Sequence, residues 1–305
     1  MPPRSSRGLT VLLFGGMVTA WGLNYVFVRE GLAFSAPLWL AFLRSGIGAV
    51  GVAVYVGSMG PGSKLDPAGR RDALLLGLPN TAVFFGLWFV AAAAVAPGIA
   101  AVVVYTFPLW VALLSPSVLG HRLGLWQALA VASGFLGVVL VSQPWANGGA
   151  VPPWAVAALL VGALSWAAGT VLFQRRFRGE EMRVANAYQL AGGSLALFVA
   201  ATVLEAHSLP QPGLPLLTVA LYLGLVGTSF GYGVWFLLLA RIPAPTLSGY
   251  VFVVPVVALV ASFAVFRDTV SGVQAAGVAL VLVSVYGSAR AAGAFEGRPG
   301  LKGAA

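Results

Sequence analysis

Ten times between Gly8 and Arg290 the chain runs for roughly twenty residues with scarcely a charge, near 8–28, 37–57, 72–94, 97–118, 124–142, 153–174, 184–204, 214–240, 244–266 and 273–290. A helix of that length crosses the hydrocarbon of a bilayer, about 30 Å at 1.5 Å per residue. Backbone in lipid must satisfy its own hydrogen bonds, and helices do so within one segment. With 8% charged and 59% hydrophobic residues the chain could not build a soluble surface, for which about 25% charge is usual. The expected fold class is an all-α integral membrane protein with ten transmembrane helices, and its first partner is the lipid bilayer.

The runs fall into two copies of one unit. Leu76 to Phe89, LGLPNTAVFFGLWF, recurs without a gap 147 residues later as LGLVGTSFGYGVWF, Leu223 to Phe236. The same offset lays Pro108 on Pro255, Ser115 on Ser262 and Gln127 on Gln274. Upstream the offset is 145, pairing Trp21 with Trp166, Val26 with Val171, Arg44 with Gln189 and Gly48 with Gly193. Five spans per copy is an odd number, so the second copy enters the membrane from the opposite face. This predicts inverted five-helix repeats over 1–146 and 147–305, the second with a short cytoplasmic tail, joined by the uncharged linker Ser142 to Trp154. Inverted repeats are a transporter signature, with a substrate site near mid-membrane between the copies.

The net charge of +9 would suit a nucleic-acid binder, but its distribution argues against one. With the N-terminus inside, fourteen of the seventeen Lys and Arg residues fall in cytoplasmic segments, Arg29 and Arg267 fall outside, and Arg44 lies within a span. The positive-inside rule therefore predicts a multi-pass membrane protein with both termini cytoplasmic. The chain has no cysteine and only two histidines, His121 and His207, so no metal cluster is expected. Its eight acids all lie in loops, tails or span ends, leaving no nucleophile with a base and no paired carboxylates for an intramembrane enzyme. No catalytic residue, cofactor or metal is expected. A lipid-moving or structural membrane protein shares the composition and is separated from a transporter only by an uptake or efflux assay.

Polar and aromatic residues in mid-span mark the candidate site. Trp21, Asn24 and Tyr25 stand at i, i+3 and i+4 on one helical face, and the second copy repeats the arrangement with Trp166, Gly169 and Thr170. A polar atom in hydrocarbon needs a partner or a cavity, so these faces should look inward, either to clamp helices together or to line a substrate cavity. Pro108 and Pro255 should bend their spans at matching positions, with Tyr105 one turn before the first. Gly227 and Gly231 form a small-residue face suited to close helix approach, with Tyr232 pointing elsewhere. Arg44, the one full charge well inside a span, lies seven residues after Pro37, about 10 Å deep. A buried guanidinium costs at least about 2.5 kcal/mol, so it calls for backbone carbonyls, Asn24, or a carboxylate or other anion on a small-molecule substrate. Its repeat mate Gln189 carries no charge. The candidate substrate-binding residues are thus Trp21, Asn24, Arg44, Tyr105, Trp166, Thr170, Gln189 and Tyr232.

The segments AWGLNYVFVREGL, PLWLAFLRSGIGA, TFPLWVALLSP and GLWQALAVASGFLGVVLV, with SWAAGTVLFQRRF, AYQLAGGSL and VPVVALVASFAVF in the second copy, are similar to those of a known family. Taken together the chain resembles the EamA family of the drug/metabolite transporter superfamily, from about Gly8 to Ala289. The resemblance implies an inner-membrane exporter of small metabolites, often amino acids, with a central cavity between repeats. It also implies a Glu just after the fourth and ninth spans, where this chain has His121 and Asp268.

Overall fold

A computed structural model describes residues 4–58, 64–95, 97–120, 124–142, 145, 152–266 and 271–296. Among the described residues every regular element is helical. Helices α1 (Arg4–Gly31) and α2 (Pro37–Ser58) come first. Next, α3 (Pro67–Gly77) continues through a π-helical stretch, Leu78–Val83, into α4 (Phe84–Ala92). The following span is α5 (Pro97–Val104) and α6 (Phe107–Leu119), and α7 (Leu125–Ser142) closes the first half. The second half holds α8 (Pro153–Arg176), α9 (Glu181–Leu204), α10 (Leu214–Leu221), a second π-helical stretch Tyr222–Phe230, and α11 (Gly231–Leu239). Then α12 (Ala244–Tyr250) passes through the 3₁₀ turn Val251–Val253 into α13 (Val254–Phe266), and α14 is Gly272–Glu296. Seven of these continuous stretches are long and apolar enough to cross a membrane, and Phe107–Leu119, Leu125–Gly137 and Ala275–Ser284 are shorter apolar helices.

The sequence sets the helix boundaries. Proline, which has no N–H to leave unpaired in a first turn, stands at or next to the start of α3, α6, α8, α10 and α12. Asp66 caps α3 by accepting from Gly69 N at 2.7 Å. Gly120, at φ 69°, ends α6 in the left-handed conformation that glycine adopts without strain. A carboxylate caps α2 from another helix: Glu205, just past α9, accepts from Leu38 N at 3.0 Å and Trp39 N at 3.1 Å, and the Trp39 indole donates to the Glu205 carbonyl at 3.2 Å. Negative charge suits the N-terminal end of the α2 dipole. Pro108 and Pro255 each fall in the first turn after a break, so both spans are interrupted rather than gently curved.

Helices from the two halves interleave. Helix α1 packs on α13, and α8 packs on α6. Helix α2 packs on the stretch Tyr222–Phe230, and α9 packs on α3 and Leu78–Val83, while α2 and α9 also pack on each other. Small residues allow these contacts. A Cβ on Gly77 would strike the Gln189 carbonyl, and one on Gly224 would strike Ile47 and approach the Arg44 carbonyl. Gly77 and Gly224 are repeat mates, as are Gln189 and Arg44, so one backbone approach is made twice.

Candidate functional site

The interleaved helices leave a small space where the halves meet. It is lined by Trp21, Asn24 and Tyr25 of α1, Arg44 of α2, Phe84, Phe85 and Trp88 of α4, the Val104–Phe107 break, Trp166 of α8 and Tyr232 of α11. Its volume is about 40 Å³, room for water but for no metabolite. The walls are mutually braced rings. Trp166 stands 5.0 Å from Tyr232 and 5.1 Å from Phe84 between ring centroids, Trp88 is 5.6 Å from Tyr25, and Trp21 meets Trp166 edge-on at 6.4 Å. Such edge and offset contacts each add about 1 kcal/mol beyond burial and fix ring orientation.

Arg44 is the electrostatic centre. It is 1% exposed and forms no ion pair among the described residues. Its Nε donates to Thr228 Oγ1 at 3.0 Å, and that hydroxyl passes its own hydrogen to the Leu223 carbonyl at 2.8 Å. Its Cζ lies 4.2 Å from the Phe85 ring centroid, 5.2 Å from Trp88 and 5.7 Å from Phe89. Ring faces offset some of the desolvation of a cation, about 2 kcal/mol in a dry site, but accept no directed hydrogen bond in place of an oxygen. Among the described residues Nη1 has no acceptor, and neither does the Trp88 indole Nε1; Asn24 Oδ1 has no donor. The site thus presents two unmatched donors and one unmatched acceptor, each costly to leave buried.

The two π-helical stretches shape the surroundings. At repeat-equivalent positions their carbonyls are met by cavity side chains: Trp21 Nε1 donates to the Gly227 carbonyl at 3.0 Å and Tyr232 Oη to the Asn80 carbonyl at 3.1 Å. The same positions hold an exchange of residue types. On one side the Asn24 amide lies where a Cβ on Gly227 would be; on the other the Asn80 amide lies where a Cβ on Gly169 would be. Asn24 and Gly169 are repeat mates, and so are Asn80 and Gly227. Each junction therefore holds one asparagine against one glycine, supplied from opposite partners.

Of the candidate residues, Trp21, Asn24, Arg44, Tyr105, Trp166 and Tyr232 line this one cavity. Thr170 and Gln189 do not border it. Thr170 is fully buried with Oγ1 unpartnered. Gln189 accepts from Asn80 Nδ2 at 2.8 Å and donates to Asn186 Oδ1 at 2.9 Å, a neutral amide chain in the place equivalent to Arg44. The small-residue face of Gly227 and Gly231 seats Asn24 and the Trp21 indole. Phe84, Phe85 and Trp88 were not among the candidates. The identity of Trp88 with Trp235 pointed to their stretch, but the π-helical insertion shifts every later side chain around the axis relative to 3.6-residue counting. His121, Arg122, Arg267 and Asp268 lie outside the described residues, as does most of the Ser142 to Trp154 linker.

The sequence profile of the EamA-like transporter family matches residues 8–143 and 153–290. An uncharacterized transporter, YvbV, of Bacillus subtilis (strain 168) is 27% identical over 90% of this chain and 90% of its own. A probable amino-acid metabolite efflux pump of Escherichia coli (strain K12) is 28% identical over 88% of this chain and 91% of its own. The uncharacterized inner membrane transporter YedA of the same strain is 27% identical over 90% and 89%. A solved crystal structure superposes with a TM-score of 0.75 at 21% identity, covering 92% of this chain and 97% of that one, a likeness of fold. With both halves matched by one profile and relatives aligned over almost their full length, the chain belongs to the EamA-like transporter family.

Proposed function

We propose that this transporter exports small metabolites of the amino-acid kind, holding the solute's carboxylate at Arg44 and alternating access between the two faces of the membrane. The observation that carries the reading is the unmatched polar set in the central cavity. Arg44 Nη1 and Trp88 Nε1, both without an acceptor among the described residues, would donate to a carboxylate. The amino-acid efflux pump among the relatives agrees with that class. Family membership makes the chain a membrane transporter rather than an enzyme.

The architecture of the reading is ten spans in two inverted five-helix repeats, 1–146 and 147–305, with both termini and the segments around Lys64, Arg176 and Arg241 in the cytoplasm. Support comes from the reciprocal pairing of α1 with α13 and α8 with α6, and from the matched π-helical stretches and breaks. At about 40 Å³ the cavity is shut to solute, so loading requires one set of interleaved helices to move apart. The breaks before Pro108 and Pro255 are where such bending costs least, since the regular α-helical ladder gives way there to turn and 3₁₀ bonds and each proline lacks an N–H.

The test compares intracellular and released metabolite pools in cells with and without the protein. The expected result is faster release of a carboxylate-bearing amine in the expressing cells. Unchanged amino-acid release with faster release of a neutral or purely cationic solute would refute the substrate class.

A further inference from the structure

Away from the central cavity, three arginines converge on a second concavity. It has a volume of about 530 Å³, within the roughly 300–1,000 Å³ of small-ligand sites. It opens where α6, α8 and α11 end, and Arg175, Arg178 and Arg241 line it with no acid among the described residues. None of the three forms an ion pair among the described residues, although other arginines on this side do: Arg176 and Arg71 with Asp72, and Arg183 with Glu180. The rim is built, not frayed. Gln174 donates to the Leu239 and Ile242 carbonyls at 2.9 and 3.1 Å, and its Oε1 accepts from Ala244 N at 2.9 Å. One amide thereby ties the end of α8, which carries Arg175, to the turn that carries Arg241. The remaining wall is apolar, including Val118, Leu119 and Ile242.

We infer that this concavity binds a phosphate ester, the headgroup of an anionic phospholipid of the adjoining leaflet. Guanidinium groups match phosphate oxygens in paired, charge-assisted hydrogen bonds. Basic pockets between membrane helices on the positive side are suited to anionic headgroups. Compensating helix C-terminal dipoles would need basic residues near each end but no shared hollow. The apolar wall favours a lipid over a soluble phosphate, since only the lipid brings glycerol and acyl carbon to cover it. Bound there, the headgroup joins Arg175 and Arg178 beside α9 to Arg241 before α12.

The test uses the purified full chain in a neutral detergent. Phosphatidylglycerol, phosphatidylcholine or inorganic phosphate is added, with thermal unfolding and native mass spectrometry as readouts. The expected result is a Tm raised by phosphatidylglycerol but not by phosphatidylcholine, with one anionic lipid retained in the spectrum. Arg178→Gln and Arg241→Gln, singly and together, should remove both effects, while Arg70→Gln, exposed outside the concavity, should keep them. Because the spectrum counts lipid on the wild-type chain, a variant that folds poorly does not decide the matter. An equal Tm rise with inorganic phosphate, without retained lipid, would assign the site to a soluble phosphate and overturn the lipid. Failure of the wild type to retain phosphatidylglycerol or to be stabilised by it, or retention that survives both substitutions, would overturn the site.

Discussion

At the scale of single residues, Arg44 and Trp88 carry buried donors that no acceptor among the described residues meets. Thr228 takes one hydrogen of the guanidinium and three aromatic rings lie near its carbon, yet Nη1 is buried with no oxygen partner among the described residues. Trp88→Phe deletes the other idle donor while keeping the ring. At about 1.5–3 kcal/mol for a hydrogen bond to a charged group, KM for a carboxylate solute should rise roughly ten- to hundred-fold with kcat and protein level unchanged. Unaltered KM would remove Trp88 from the site. Thr170 gives the opposite case: buried, with an unpartnered hydroxyl and outside the cavity lining. Thr170→Val should leave transport affinity as it is and hold or slightly raise thermal stability, by up to about 1 kcal/mol. A clear loss of affinity would place Thr170 in the transport path.

At the scale of elements, the π-helical stretches and the glycines facing them explain both what the sequence revealed and what it hid. Runs of apolar residues and prolines at helix starts locate the helices, because a span with one or two charges can do little else in lipid. Periodicity then placed Trp21, Asn24 and Tyr25 on one face, and they do share the cavity. The same counting could not place Phe85 and Trp88, because Leu78–Val83 inserts extra backbone before them. Nor could it separate Thr170 and Gln189 from the cavity. Their repeat mates Tyr25 and Arg44 do line it, and the asparagine exchange that gives Gln189 its partner Asn80 breaks the equivalence. Gly193 tests the packing: a Cβ there would meet Thr81 and the Gly77 carbonyl, while one on Gly15 meets nothing. Gly193→Val should lower stability by about 1–3 kcal/mol or more, as overpacking does, and Gly15→Ala should not. Equal Tm values for the two variants would contradict this helix contact.

At the scale of the whole molecule, the reading joins two inverted halves around one cationic site, and orientation and transport can be measured separately. The chain has no cysteine, so single substitutions report cleanly. Ser208→Cys, between α9 and α10, should label with an impermeant reagent from the periplasmic side, and Ala68→Cys, at the start of α3, only from the cytoplasm. Labelling of both from one side would break the ten-span inverted arrangement. The central claim, that Arg44 anchors a carboxylate on the exported solute, is tested most directly by transport in liposomes. Wild-type protein and Arg44→Gln are compared on an amino acid and on its neutral amide. The expected result is a loss of roughly ten- to hundred-fold in kcat/KM for the carboxylate, since a hydrogen bond to a charged group contributes about 1.5–3 kcal/mol, with little change for the amide and an unchanged amount of folded protein. Equal loss for both solutes, or loss of the folded protein itself, would assign Arg44 to holding the helices together and contradict the account.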